Sequence, residues 1–141
     1  MNDNFHVRPI SAGGWDYIAA ALVRLFGRLR ATGNKHCVVV DVSPEHYVQF
    51  IVRHDGTLWA ESVGDTHLVE RPFDDEQRRV LEMLGWRAAD SEGPGEGNYW
   101  REYEKPGSDL DAAATAVLTC LDVFGCGPRT DVRVKVFEAV H

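Results

Sequence analysis

The stretch Tyr47–Ser62, YVQFIVRHDGTLWAES, decides the fold. Two runs of alternating apolar and polar residues flank His54-Asp55-Gly56, the pattern of a β-hairpin. A two-residue Asp55-Gly56 turn would put Val48, Phe50, Val52, Trp59 and Val63 on one face, with Glu61 among them. A three-residue turn, with Gly56 as the left-handed bulge residue, groups Val48, Phe50 and Val52 with Leu58, Ala60 and Ser62 instead. That second set carries no charge. Burying an unpaired carboxylate costs several kcal/mol, so the hydrophobic pattern selects the three-residue turn.

This register sends Tyr47, Gln49, Ile51, Arg53, Thr57, Trp59, Glu61 and Val63 to the opposite face. Large aromatics within a polar surround are the composition of a protein-binding patch. Tyr47, Ile51, Trp59 and Val63 are therefore the candidate partner-binding residues. The same pattern suits a face covered by another element, such as the C-terminal strand, and both readings stand at this point.

Upstream, Trp15, Ile18, Ala19, Leu22, Leu25, Phe26 and Leu29 follow the 3.6-residue period and predict a helix from about Trp15 to Thr32, stopped by Gly33-Asn34. Cys37–Val42, CVVVDV, is a β-branched run and reads as a strand buried on at least one face. Downstream, Asp74 and Gln77 form a capping box for a second helix with Val80, Leu81 and Leu84 on its apolar side. Gly85 then takes the left-handed position of a Schellman stop and Trp86 folds back onto Leu81. Ala89–Gly97, ADSEGPGEG, is a connecting loop, and Asn98–Lys105, NYWREYEK, alternates as a strand broken at Pro106-Gly107. The third helix runs from about Asp109 to Phe124, behind Ser108 or Asp109, with Leu110, Ala113, Ala114, Val117, Leu118, Leu121 and Phe124 as its expected inward face. Val132–Phe137 closes the chain as a strand. Counting a brief strand around Trp86, the order is α-β-β-β-α-β-β-α-β. Short turns between strands imply an antiparallel sheet with its helices on one face, an α+β two-layer sandwich.

The 141 residues suit a single domain spanning 1–141, with 1–13 as a loosely ordered lead-in. Three cysteines, Cys37, Cys120 and Cys126, fit reduced thiols in a cytoplasmic protein better than a secreted disulfide framework, although Cys120 and Cys126 bracket the end of helix three. The N-terminus lacks the basic and apolar blocks of a secretory signal, and no apolar run is long enough to cross a bilayer. The net charge of −7 divides into +3 over residues 1–36 and −10 over residues 37–141. So acidic a body argues against nucleic acid as a partner. Arg24, Arg28 and Arg30 read as a solvated helix face rather than a membrane-binding one.

No reaction chemistry assembles from the sequence. The six histidines show neither zinc-ligand spacing nor an accompanying Cys-x-x-Cys, so no metal is expected. His54-Asp55, half of a metal phosphohydrolase signature, is accounted for as a turn. Ser43, Ser62 and Ser108 lack a nucleophile elbow, and the glycines of 89–97 lack the ending of a phosphate loop. Neither a catalytic residue nor a cofactor is expected. The competing reading is a small-molecule site or enzyme in a cleft between sheet and helices, using Glu61, Arg53 or His46, with Glu61 and Glu102 as an acid–base pair.

The element order, YVQFIVRHDGTLWAESVG, the following LGW, and NYWREYEK before an alanine-rich helix together resemble the bacterial YbjN and type III secretion chaperone-like superfamily. They are most similar to its actinobacterial TY-Chap branch. The strand after helix three departs from the usual α-β-β-β-α-β-β-α pattern. The resemblance implies a type III secretion chaperone-like fold and a non-enzymatic chaperone or adaptor that binds a client protein. It also implies dimer formation, and it brings no catalytic residues with it.

Overall fold

The structure, a computed structural model, describes residues 5–7, 14–43, 45–63, 73–88, 98–104, 108–127 and 130–138. Its elements run β1 (Phe5–Val7), α1 (Gly14–Thr32), β2 (His36–Ser43), β3 (His46–Val52), β4 (Leu58–Ser62), α2 (Asp75–Met83), β5 (Tyr99–Tyr103), α3 (Asp109–Leu118), a π-helical turn (Thr119–Val123) and β6 (Arg133–Glu138). All six strands join one antiparallel sheet in the order β1-β6-β2-β3-β4-β5. The expected α+β sandwich is thus realised. The brief strand around Trp86 reduces to a single bridge, Arg87 to Trp100. Phe5–Val7, expected within a loose lead-in, instead pairs with β6. The loop reading of 89–97 and the break at Pro106-Gly107 lie outside the described residues.

The hairpin takes the three-residue turn. Arg53 N–H donates to the Thr57 carbonyl and Gly56 N–H to the Arg53 carbonyl, both at 2.9 Å, and Gly56 has φ +88°. Asp55 accepts from the Thr57 amide at 3.0 Å and the Thr57 hydroxyl at 2.7 Å, which holds its carboxyl below the usual range. HDG is therefore a turn that fixes register. Phe50 faces Ala60, and Val48, Phe50, Val52, Leu58, Ala60 and Ser62 are all buried.

Those residues meet α1 through Ile18, Leu22, Leu25, Phe26 and Leu29, with Phe26 edge-on to Phe50 at 5.0 Å. The α1 stop at Gly33 (φ +74°) is the expected one. Arg30, however, does not lie on a solvated face. Its guanidinium forks onto Asp109 at 2.8 and 2.6 Å and donates to the Gly56 carbonyl, tying the end of α1 to the hairpin turn and the start of α3.

The local signals of α2 hold. Asp74 and Gln77 make both capping-box bonds. Gly85 (φ +94°) completes a Schellman stop with Gly85 N–H on the Glu82 carbonyl and Trp86 N–H on that of Leu81. The Trp86 indole N–H then donates to the Thr119 hydroxyl, which itself donates to the Thr115 carbonyl.

Helix three is rotated from its expected orientation. Its inward side is Ala112, Ala113, Thr115, Ala116, Thr119, Cys120 and Val123, whereas Leu110 is 72% and Leu118 41% exposed, and Ala114 is exposed as well. Periodicity identified a leucine stripe and assigned it to the core. The core space beside α1, Trp86 and Tyr103 instead accepts the small face, because alanines let elements approach closely. The π-helical turn, closed by Phe124 N–H on the Thr119 carbonyl, adds a residue to the last turn and carries Cys120 and Val123 inward.

Candidate functional site

Strand alternation gives the sheet two unlike surfaces. The helices contribute to one side, where Val38, Val40, Val48, Val52, Val134 and Val136 are at most 4% exposed. The other side, formed by Cys37, Val39, Asp41, Tyr47, Gln49, Ile51, Trp59, Glu61, Trp100, Lys135 and Phe137, is half-buried throughout, and no described helix packs over it. The C-terminal strand does not cover this face; β6 pairs edge-to-edge with β2 and extends it.

At the β4–β5 end of this face two tryptophans stack. Trp59 sits opposite Ile51 on β3 and Glu102 on β5, and Trp100 sits opposite Glu61. The rings are therefore diagonal neighbours, 5.0 Å apart and within 7° of parallel. Arg53 lies over the Trp59 ring at 5.5 Å and Arg87 over the Trp100 ring at 5.0 Å, so each indole carries a cation. Glu102 accepts from Arg53 at 2.9 Å. Glu61 accepts from Gln49 at 2.8 Å and from the Trp59 indole at 3.2 Å. Asp41 pairs with Lys135 at 3.1 Å. Asp41, Glu61 and Glu102 are thus each held by a neighbour on this face.

Beside the stack lies a shallow depression of about 560 Å³ lined by Lys35, Ile51, Arg53, His54, Asp55 and Trp59. A second of about 320 Å³ runs between Val39, Tyr47, Gln49 and Lys135. Together they form an open apolar floor with a charged rim, a shape that suits binding along a surface.

Of the four sequence candidates, Ile51 and Trp59 stand together on this face. Tyr47 lies at its end, partly packed against the core. Val63 does not join them: it is 3% exposed and belongs to the core. Strand β4 ends at Ser62, so the alternation that carried Val63 outward stops one residue too early. Trp100 and Arg87 were missed, although a signal was present. Trp59-Ala60-Glu61 and Trp100-Arg101-Glu102 share a Trp-x-Glu spacing, which antiparallel neighbours convert into a Trp/Glu checkerboard.

Of the residues of the competing reading, Arg53, Glu61 and Glu102 share the outer face around Trp59, and His46 does not join them. His46 lies on the helix side, 5.0 Å from Phe124, with Nδ1 3.0 Å from the Ser43 hydroxyl, and burial lowers its pKa. Arg53 and Glu61 are on the other side of the sheet. Cys37, Cys120 and Cys126 are free thiols, and burial pushes all three up, away from thiolate chemistry. Among the described residues no group of three His, Cys, Asp or Glu side chains is placed to hold a metal ion, and no helix is long and apolar enough to cross a membrane.

No curated protein and no solved structure matches the chain. A family profile does, over residues 11–137, described as TY-Chap3: T3SS (YopN, CesT) and YbjN peptide-binding chaperone 3. That span takes in α1, all three central strands, α2, β5, α3 and nearly all of β6, so the chain belongs to the TY-Chap3 family of peptide-binding chaperones.

Proposed function

We propose that this protein is a non-enzymatic chaperone or adaptor that holds an extended segment of a client protein across the outer face of its sheet. Trp59 and Trp100 form the platform, with Ile51 and Tyr47 beside them. One observation carries the reading: a stacked, cation-flanked tryptophan pair at the β4–β5 end of a sheet face over which no described helix packs. Stacked aromatics immobilised by neighbours offer large contact area at little entropic cost, as binding hot spots do. Family membership supports a peptide as the occupant. Free thiols, Cys120 buried and Cys37 and Cys126 half-buried, support the cytoplasm as the place of action.

The test is selection of binders from a displayed library of random peptides, followed by titration against Trp59→Ser and Trp100→Ser proteins. Selected peptides should bind the wild type and lose at least ~10-fold in affinity, about 1.4 kcal/mol, to either variant while far-UV circular dichroism stays unchanged. Equal binding by both variants, or failure to select any peptide, would overturn the proposal.

A further inference from the structure

Strands β2 to β5 turn three carboxylates to the outer face, and two of them have a cation. Asp41 meets Lys135 at 3.1 Å and Glu102 meets Arg53 at 2.9 Å. Glu61 accepts from neutral donors alone, Gln49 on Oε2 at 2.8 Å and the Trp59 indole on Oε1 at 3.2 Å, and makes no ion pair among the described residues. It is half-buried, and its cross-strand partners, Gln49 and Trp100, bring no charge to it. Arg53 is engaged by Glu102 and the Trp59 ring, and Arg87 lies over Trp100, one strand further out. The uncompensated charge is felt nearby: burial first, and then Glu61, pushes the Cys37 thiol up. A carboxylate partly withdrawn from water with no counter-ion is costly.

Stereochemistry narrows the missing counter-ion. An ionised carboxylate offers about four lone-pair positions on its two oxygens. Each oxygen of Glu61 has used one and keeps another. One open position on each of two adjacent oxygens matches the parallel N–H groups of a guanidinium, whereas an ammonium acts as a point charge. The long-range field has the matching sign. The chain carries −7 overall and −10 over residues 37–141, which draws in a basic segment and opposes an acidic one.

We propose that the client segment carries an arginine whose guanidinium forks onto Glu61, with apolar side chains of the same segment to either side. The inference rests on the outer face being the client site and adds which client fits it. The Gln49–Glu61 pair stands between two depressions, one floored by Ile51 and Trp59 and the other by Val39 and Tyr47. A segment that crosses both passes over Glu61 on the way. The client is therefore basic and apolar, and arginine serves better than lysine.

Peptides selected from the random displayed library test this. An arginine should recur at one position between apolar residues. When such a peptide is resynthesised with glutamine at that position, its affinity for the wild type should fall at least ~10-fold, and lysine should restore only part of the loss. Glu61→Gln keeps the side-chain length and an acceptor for the Trp59 indole. It should bind the arginine peptide at least ~10-fold more weakly than the wild type does, yet bind the glutamine peptide equally, with an unfolding midpoint no lower. If Glu61→Gln weakened both peptides equally, or neither, while Trp59→Ser bound none, the proposal would fall and the outer face would stand as the client site. Binders without a recurrent arginine would sink it in the same way. Trp59→Ser and Trp100→Ser proteins that held both peptides as the wild type does would remove the face itself, and the arginine site with it.

Discussion

The two faces of the β3–β4 hairpin carry similar hydrophobic content and meet opposite fates. Val48, Phe50, Val52, Leu58 and Ala60 are at most 1% exposed beneath α1. Ile51 and Trp59, one residue out of phase, stay half-buried on a face without a helix. What separates them is the company they keep. The inner set contains no charge, so a helix can close over it without desolvating an ion. The outer set alternates with Gln49, Arg53 and Glu61; Glu61 accepts from Gln49 and the Trp59 indole, and Arg53 donates to Glu102. Apolar content alone does not make a core; it must be contiguous and free of charge.

That contrast can be broken or sharpened by substitution. The largest effect belongs to the closed face: Phe50→Ala leaves a cavity against Phe26 and should cost about 3–5 kcal/mol in urea unfolding. Next comes the anchor of β5 at the sheet edge. In Gly85→Ala a Cβ at φ +94° would stand 2.5 Å from the Arg101 guanidinium, and about 2 kcal/mol should be lost, readable as a lower melting temperature. On the open face Trp59→Ser removes a stacked ring and should cost only about 1–2 kcal/mol while abolishing peptide capture. If Trp59→Ser were to cost as much as Phe50→Ala and leave peptide capture intact, the two faces would not differ as described.

The smallest effect is in pH. His46 packs near Phe73 and Phe124, with Ser43 on Nδ1 and the Glu45 carboxylate nearby. Burial lowers its pKa from the ordinary 6.5, outweighing the opposing pull of Glu45. The unfolded chain therefore binds more protons than the folded one once pH falls below about 6.5. Stability should fall from there through the folded pKa. The urea midpoint of His46→Asn should show less acid sensitivity than the wild type; equal slopes would remove His46 as the cause.

Helices two and three show how far the sequence alone could be read. Each signal in α2 was local: Asp74 needs only Gln77, and Gly85 needs only the carbonyl of Glu82 and its neighbour, so cap and stop were legible at a span of five residues. The hairpin register was legible for the same reason, fixed by HDG and by the position of Glu61. In α3 the period was equally clear, but a period reports only that a helix has two unlike sides. Which side turns inward depends on the volume left between α1, Trp86 and Tyr103, and those residues meet only when distant elements pack.

The sequence by itself determined the α+β order, the turn that sets register and the caps of α2, because each follows from neighbours within a few residues. The tertiary structure alone decided that Trp59 has Trp100 as its partner, that Val63 enters the core while Leu110 and Leu118 leave it, that Arg30 joins three elements, and that β6 widens the sheet instead of covering it. Those outcomes depend on cross-strand diagonals, packing volume and strand order, which are fixed by contacts between residues far apart in the chain.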